Sequence, residues 1–186
     1  MPEKVAVYLG SSPGNSPKFR ENAYGLGAKL AEKKIEVIYG GASVGTMKSL
    51  AEGVLSRGGR LTGVFPDGFR GKKEYADKGL DVRFHQVSEM VVTEGLSDRI
   101  ATMEKMSDAC IVLPGSYGTL NELFSYLLNR QLGFHSKPIY VLNTDGYYRP
   151  LKDLIDNMVK NGFISPADGR LLTFCDEVDE LLEKLD

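Results

Sequence analysis

The chain has 186 residues, of which 42% are hydrophobic and 26% charged, and its formal net charge is −2. Acids and bases interleaved at that balance exclude a broad attraction for nucleic acid or an anionic membrane, and no apolar run reaches the length of a membrane span. The chain is of single-domain size, one domain over 1–186 is expected, and a small molecule is the expected partner.

The first strand candidate is Val5 to Leu9, followed by the polar turn Gly10-Ser11-Ser12-Pro13-Gly14 and a helical segment from Pro17 to Lys33. It starts so near the first residue that no room is left for a signal peptide, and a reduced, cytoplasmic setting is expected. Ile35 to Tyr39 repeats the pattern, with Gly40 to Gly45 as its turn and a helix through Leu50, Val54 and Leu55. A third strand spans Leu61 to Phe65. From Asp67 to Gly79 the composition turns charged and glycine-rich, which predicts a surface loop able to act as a lid.

Strand candidates at Val82 to Phe84 and Glu89 to Thr93 lead to a helix from Leu96 to Ser107, with Ile100, Met103 and Met106 on one side. The apolar run Cys110 to Leu113 then breaks at Pro114-Gly115, and Gly118-Thr119 opens a helix carrying Leu120, Leu123, Phe124, Leu127 and Leu128 at helical spacing. A strand from Pro138 to Leu142, a helix from Leu151 to Lys160, a short strand near Leu172 and a helix from Glu177 to Leu185 complete the chain. Such alternation predicts an α/β fold: an open parallel sheet with helices on both faces.

In such a sheet ligands sit at the carboxyl ends of the strands, where strand order reverses. Three glycine turns fall on that edge, and together they favour a phosphorylated ligand. The first amides of a helix have no intrahelical partner and carry partial positive charge, so they bind anions through backbone alone. The candidate phosphate-binding residues are Ser11 in the first turn, Gly41 and Ser43 in the second, and Gly115, Ser116, Tyr117, Gly118 and Thr119 in the third. Thr119-Leu120-Asn121-Glu122 also reads as a capping box, so the stretch is equally a helix start or a site. The first turn lacks Gly-x-Gly-x-x-Gly and no Walker P-loop is present, which leaves a ligand of mononucleotide size.

Two cysteines, Cys110 and Cys175, give neither a disulfide framework nor a metal-ligand spacing, and both are expected as buried thiols. His85 and His135 have no partner histidines, so no metal site is expected, and no cofactor.

Pro114-Gly115-Ser116-Tyr117-Gly118-Thr119-Leu120-Asn121-Glu122 resembles the Pro-Gly-Gly-x-Gly-Thr-x-x-Glu signature of the LONELY GUY family of cytokinin riboside 5′-monophosphate phosphoribohydrolases, long labelled possible lysine decarboxylases. Tyr39 to Gly45, Gln131 to His135 with Lys137-Pro138, Asn143 to Tyr148 and Gly162 to Ile164 resemble further family blocks, so the likeness spans nearly the whole chain. The resemblance implies a Rossmann-like fold, a homodimer with its pocket near the subunit interface, and hydrolysis of the bond between base and ribose 5-phosphate. It places the catalytic pair on Arg99 and Glu122. No lysine here has the Ser/Thr-x-His-Lys setting of pyridoxal decarboxylases.

The chemistry of the residues agrees. Cleaving an N-glycoside develops positive charge at the anomeric carbon, which a carboxylate can stabilise while it, or a second group, activates water. Glu122 in a first helical turn would be held ionised by the helix dipole, and an arginine would balance carboxylate and phosphate. Ser116 stands at a signature glycine, Ser97 and Ile100 flank Arg99 where the family has histidine and lysine, and Leu128 and Asn129 replace a threonine and a tryptophan. Two functions therefore stand: a phosphoribohydrolase, and a nucleotide-binding or carrier protein on the same scaffold that does not cleave its ligand.

Overall fold

The computed structural model describes residues 1–69 and 86–186. The strand expected at 82–84, His85 and nearly all of the expected lid lie outside them; Asp67–Phe69 forms a single 3₁₀ turn. Seven strands, β1 (Lys4–Tyr8), β2 (Glu36–Tyr39), β3 (Leu61–Pro66), β4 (Glu89–Thr93), β5 (Ala109–Val112), β6 (Ile139–Leu142) and β7 (Leu172–Cys175), form one sheet in the order β4-β3-β2-β1-β5-β6-β7. Every pairing is parallel. The helices among the described residues are α1 (Pro17–Glu32), α2 (Gly45–Ser56), α3 (Leu96–Met106), α4 (Tyr117–Gln131), α5 (Arg149–Lys160) and α6 (Val178–Leu185). This is a Rossmann-like arrangement, as expected from the alternation.

Beyond their first residues, Lys4 and Glu36, the central strands β1 and β2 are apolar, as are β5 and β6, because both of their faces are covered. All residues of β2, β5 and β6 are buried. Along β1, Val5 and Val7 join Leu26 and Leu30 of α1, Leu50 and Val54 of α2 and Leu181 of α6 in one core layer. Ala6 and Tyr8 face the other way, into a layer with Met103 of α3, Leu123 and Tyr126 of α4 and Ile155 of α5. Both cysteines are buried free thiols, and Met103 with Met106 belongs to this second layer.

Strand order reverses between β1 and β5, which pair from Val5↔Ala109 to Tyr8↔Val112, so their carboxyl ends emerge side by side. The α1–α2 contact fixes the turns beside them. A Cβ on Gly53 would overlap Tyr24 O, and one on Gly27 would overlap Leu50 O, so the two helices meet backbone to backbone. At the start of α2, Thr46 Oγ1 donates to Gly10 O at 2.9 Å, tying the second turn to the first.

One boundary differs from expectation in a way that matters. α4 begins at Tyr117 with Ser116 as N-cap, in extended conformation and with no side-chain cap bond. Thr119 is therefore inside the first turn, and Glu122 lies in the second, so no capping box forms.

Candidate active site

Arg99 leaves the sheet-facing side of α3 near its start, and Glu122 leaves α4 toward the same place. Arg99 Nη1 donates to Glu122 Oε1, and Arg99 Nε donates to Val64 O of β3 at 3.0 Å. The side chains are 13% and 7% exposed. The fork of the guanidinium thus holds a carboxylate with one arm and a strand carbonyl with another, a geometry lysine cannot reproduce. Of the acidic residues near Arg99 on α3, Asp98 is exposed, and Glu104 Oε2 accepts from Asn129 Nδ2 at 2.8 Å.

Burial pushes the Glu122 carboxyl above the ordinary carboxylate range, and the Arg99 guanidinium pulls it back. The helix dipole expected to hold Glu122 ionised acts chiefly on the first turn, which Glu122 has left. Arg99 takes over that task.

The pair lines a cleft of about 240 Å³ at the carboxyl edge of the sheet. Its lining includes Ser11, Ser116, Gly118 and Thr119, from the turn after β1 and the start of α4, and an apolar set, Met47, Phe65, Pro66 and Leu96, from α2, β3 and α3. A Cβ on Gly118 would meet no protein atom within 4 Å, so packing does not demand glycine there. A second cleft of about 200 Å³ shares Ser116 with the first and is walled by Gly10, Phe19, Thr46, Pro114, Gly115 and Tyr147. There Tyr147 OH donates to Gly115 O at 2.5 Å and its ring meets Phe19 edge-on, centroids 6.0 Å apart.

The residues singled out from sequence therefore divide. Arg99, Glu122, Ser11, Ser116, Gly118 and Thr119 share the first cleft, and Gly115 lines the second. Gly41 and Ser43 line neither: Gly41, at φ +75°, packs on Phe65 and Met90, and its neighbours Gly40 and Ala42 face the cleft instead. Tyr117 is 90% exposed and lines neither cleft, nor does it pack on its own turn. His135 is a packing residue, its ring 4.7 Å from that of Tyr126 and its Nδ1 accepting from Lys137 N–H. Sequence reasoning missed Gly40, Met47, Phe65, Pro66, Leu96 and Tyr147. Tyr147 and Gly40 lay within blocks that carried the resemblance; the apolar wall gave no signal beyond strand and helix periodicity.

An open parallel sheet with a part-buried Arg–Glu pair facing a cleft at the strand-order reversal defines an α/β protein with ionisable groups at the place where such sheets hold ligands. A family model described as "Possible lysine decarboxylase" matches residues 47–185. A cytokinin riboside 5′-monophosphate phosphoribohydrolase of Rhodococcoides fascians is 38% identical over 96% of this chain and 86% of its own length. One of Arabidopsis thaliana is 35% identical over 99% of this chain and 83% of its own. The chain belongs to this family, the LONELY GUY family whose signature Pro114 to Glu122 resembles. Among solved structures, a molybdenum cofactor binding protein from Rippkaea orientalis superposes with a TM-score of 0.69 at 21% identity, covering 98% of this chain and 94% of that one. The molybdenum cofactor carrier protein of Chlamydomonas reinhardtii gives 0.70 at 18% identity with the same coverages. These two share the fold.

Proposed function

We propose that this protein hydrolyses the N-glycosidic bond of a nucleoside 5′-monophosphate, of cytokinin riboside or AMP type, to free base and ribose 5-phosphate. The observation that carries the reading is the Arg99–Glu122 pair, largely withdrawn from solvent yet lining the cleft beside the start of α4. The first amides of α4 take the phosphate: no side chain caps them, and Gly118 leaves space above them. The ribose then lies over Glu122, and the base reaches the wall of Met47, Phe65, Pro66 and Leu96.

As the bond from C1′ to the base breaks, its electron pair leaves with the base, which takes a proton, and positive charge grows at C1′. Glu122 Oε1 is held by Arg99, so the other oxygen stabilises that charge or draws a proton from the attacking water. Holding a charged pair out of water costs several kcal/mol before its attraction is counted, an arrangement a simple carrier does not need. That cost favours the enzyme over the non-catalytic alternative, as do the phosphoribohydrolase names of relatives that align over nearly the whole chain.

The active form is a homodimer. Phe124 and Leu128 of α4 and Leu132 at its C-cap form an exposed stripe at helical spacing, and an apolar groove of about 250 Å³ runs beside it against Ile155, Met158 and Ile164. No helix among the described residues is long and apolar enough to cross a membrane, and the two buried thiols suit a reducing, cytoplasmic setting.

The test is incubation with the monophosphates of adenosine, guanosine, cytidine and isopentenyladenosine, alongside the unphosphorylated nucleosides, with ribose 5-phosphate followed by chromatography. Product from a monophosphate and none from its nucleoside is expected. Tight binding with no product from any of them contradicts the reading and favours the carrier.

A further inference from the structure

We infer that Gly40 is a positioning residue for this reaction: lacking a side chain, it lets the Arg99 guanidinium lie across the end of β2, where it grips Glu122. The inference rests on the proposed hydrolase reading for its kinetic consequence, while the placement itself is geometric.

Gly40 follows the last residue of β2, is buried, and lines the cleft with Arg99 and Glu122. A Cβ built on it would overlap Arg99 Nη2, and would lie 3.3 Å from Arg99 Cζ and 3.0 Å from Met47 Sδ. Its backbone does not explain the glycine: the left-handed φ values in this turn belong to Gly41, at +75°, and Gly45, at +53°, and Gly40 is not among the glycines of positive φ. Both obstructing groups are the far ends of flexible side chains, so an added methyl is relieved by moving them and not by moving the sheet. The fold tolerates that movement; the site does not. Arg99 is fixed on three sides, by Val64 O at Nε, by Glu122 at Nη1 and by the bare Cα of Gly40 under Nη2. Pushing Nη2 away swings the fork off the carboxylate that Nη1 holds.

The experiment compares Gly40→Ala, Arg99→Ala and the double variant with the unaltered protein. Gly40→Ala is expected to fold, with an unchanged circular dichroism spectrum, and to lose about 100-fold in kcat, the scale of a misplaced catalytic group, with KM within about threefold. In the Arg99→Ala background, adding Gly40→Ala is expected to change kcat by less than about twofold, because the group it acts through is already gone.

A readout independent of turnover is the carboxyl ¹³C titration of Glu122, assigned by its absence in Glu122→Gln. It is expected to move to higher pH in Gly40→Ala as the guanidinium withdraws. A Gly40→Ala protein that keeps its kcat, loses as much activity with or without Arg99, leaves the Glu122 titration in place, or fails to fold overturns the inference. If the unaltered protein cleaves no nucleotide but the titration still moves, the hydrolase reading falls and the placement of Arg99 by Gly40 stands.

Discussion

Arg99 and Glu122 stand 23 positions apart on successive helices, and their side chains meet at the cleft as an ion pair of a part-buried arginine and a buried glutamate. Each corrects the other's difficulty. Alone, a carboxyl so buried would be pushed toward holding its proton, and a guanidinium so placed would keep, among the described residues, the Val64 carbonyl as its acceptor.

The pair therefore sets a pH dependence. Glu122 must be ionised to stabilise the cation or take a proton, so kcat/KM should be full above its pKa and fall as pH drops through it. Burial raises that pKa and Arg99 lowers it. Arg99→Met should move the acid limb of the kcat/KM profile to higher pH, besides lowering its plateau. The stability consequence has the opposite sense. A carboxyl whose folded pKa lies above its unfolded value loses stability as pH rises from the unfolded through the folded pKa. The unfolding free energy of the unaltered protein, less that of Glu122→Gln, should decline across that window in urea titrations; an increase would contradict the assignment.

Ser116 caps α4 without using its side chain, and it lines both clefts. Ser116→Gly should change stability by only a few tenths of a kcal/mol. By baring the backbone that faces the phosphate, it should lower KM for a monophosphate about two- to tenfold. A raised KM would mean that the hydroxyl itself binds the ligand.

Phe124 and Leu128 are 42% and 51% exposed on α4, in the stripe proposed to cover a second copy. Sedimentation of the unaltered protein should give a dimer, and of Phe124→Glu or Leu128→Glu a monomer, since a charge buried in an apolar interface has no partner. A monomer before substitution would remove the homodimer from the account.

The backbone contact of α1 with α2 leaves no room for a methyl on Gly53. Gly53→Ala should cost about 1–3 kcal/mol in urea unfolding, the usual penalty of overpacking. An unchanged midpoint would show that the helices part more easily than their contact implies.

Much of the scaffold was legible because it depends on local pattern. Val5 to Tyr8, Val37 to Tyr39 and Ile139 to Leu142 are short apolar runs, and strands with both faces covered have that composition. The start of α4 was not, because Thr119-x-x-Glu122 satisfies a capping pattern while Ser116, three residues earlier, does the capping by backbone position alone. Arg99 and Glu122 were named by a resemblance; nothing in their own neighbourhoods shows that α3 and α4 bring them together, since that depends on how two helices cross one sheet. Gly40 was visible only as half of a glycine pair, and its role requires knowing where a side chain from another helix ends.

The most direct test of the central claim, that Glu122 acts on a nucleotide held at the start of α4, is a paired measurement on Glu122→Gln with isopentenyladenosine monophosphate. Calorimetry should show binding within about tenfold of the unaltered protein, while ribose 5-phosphate release falls by at least about 10²-fold. Release that persists undiminished in Glu122→Gln, with binding intact, would contradict it.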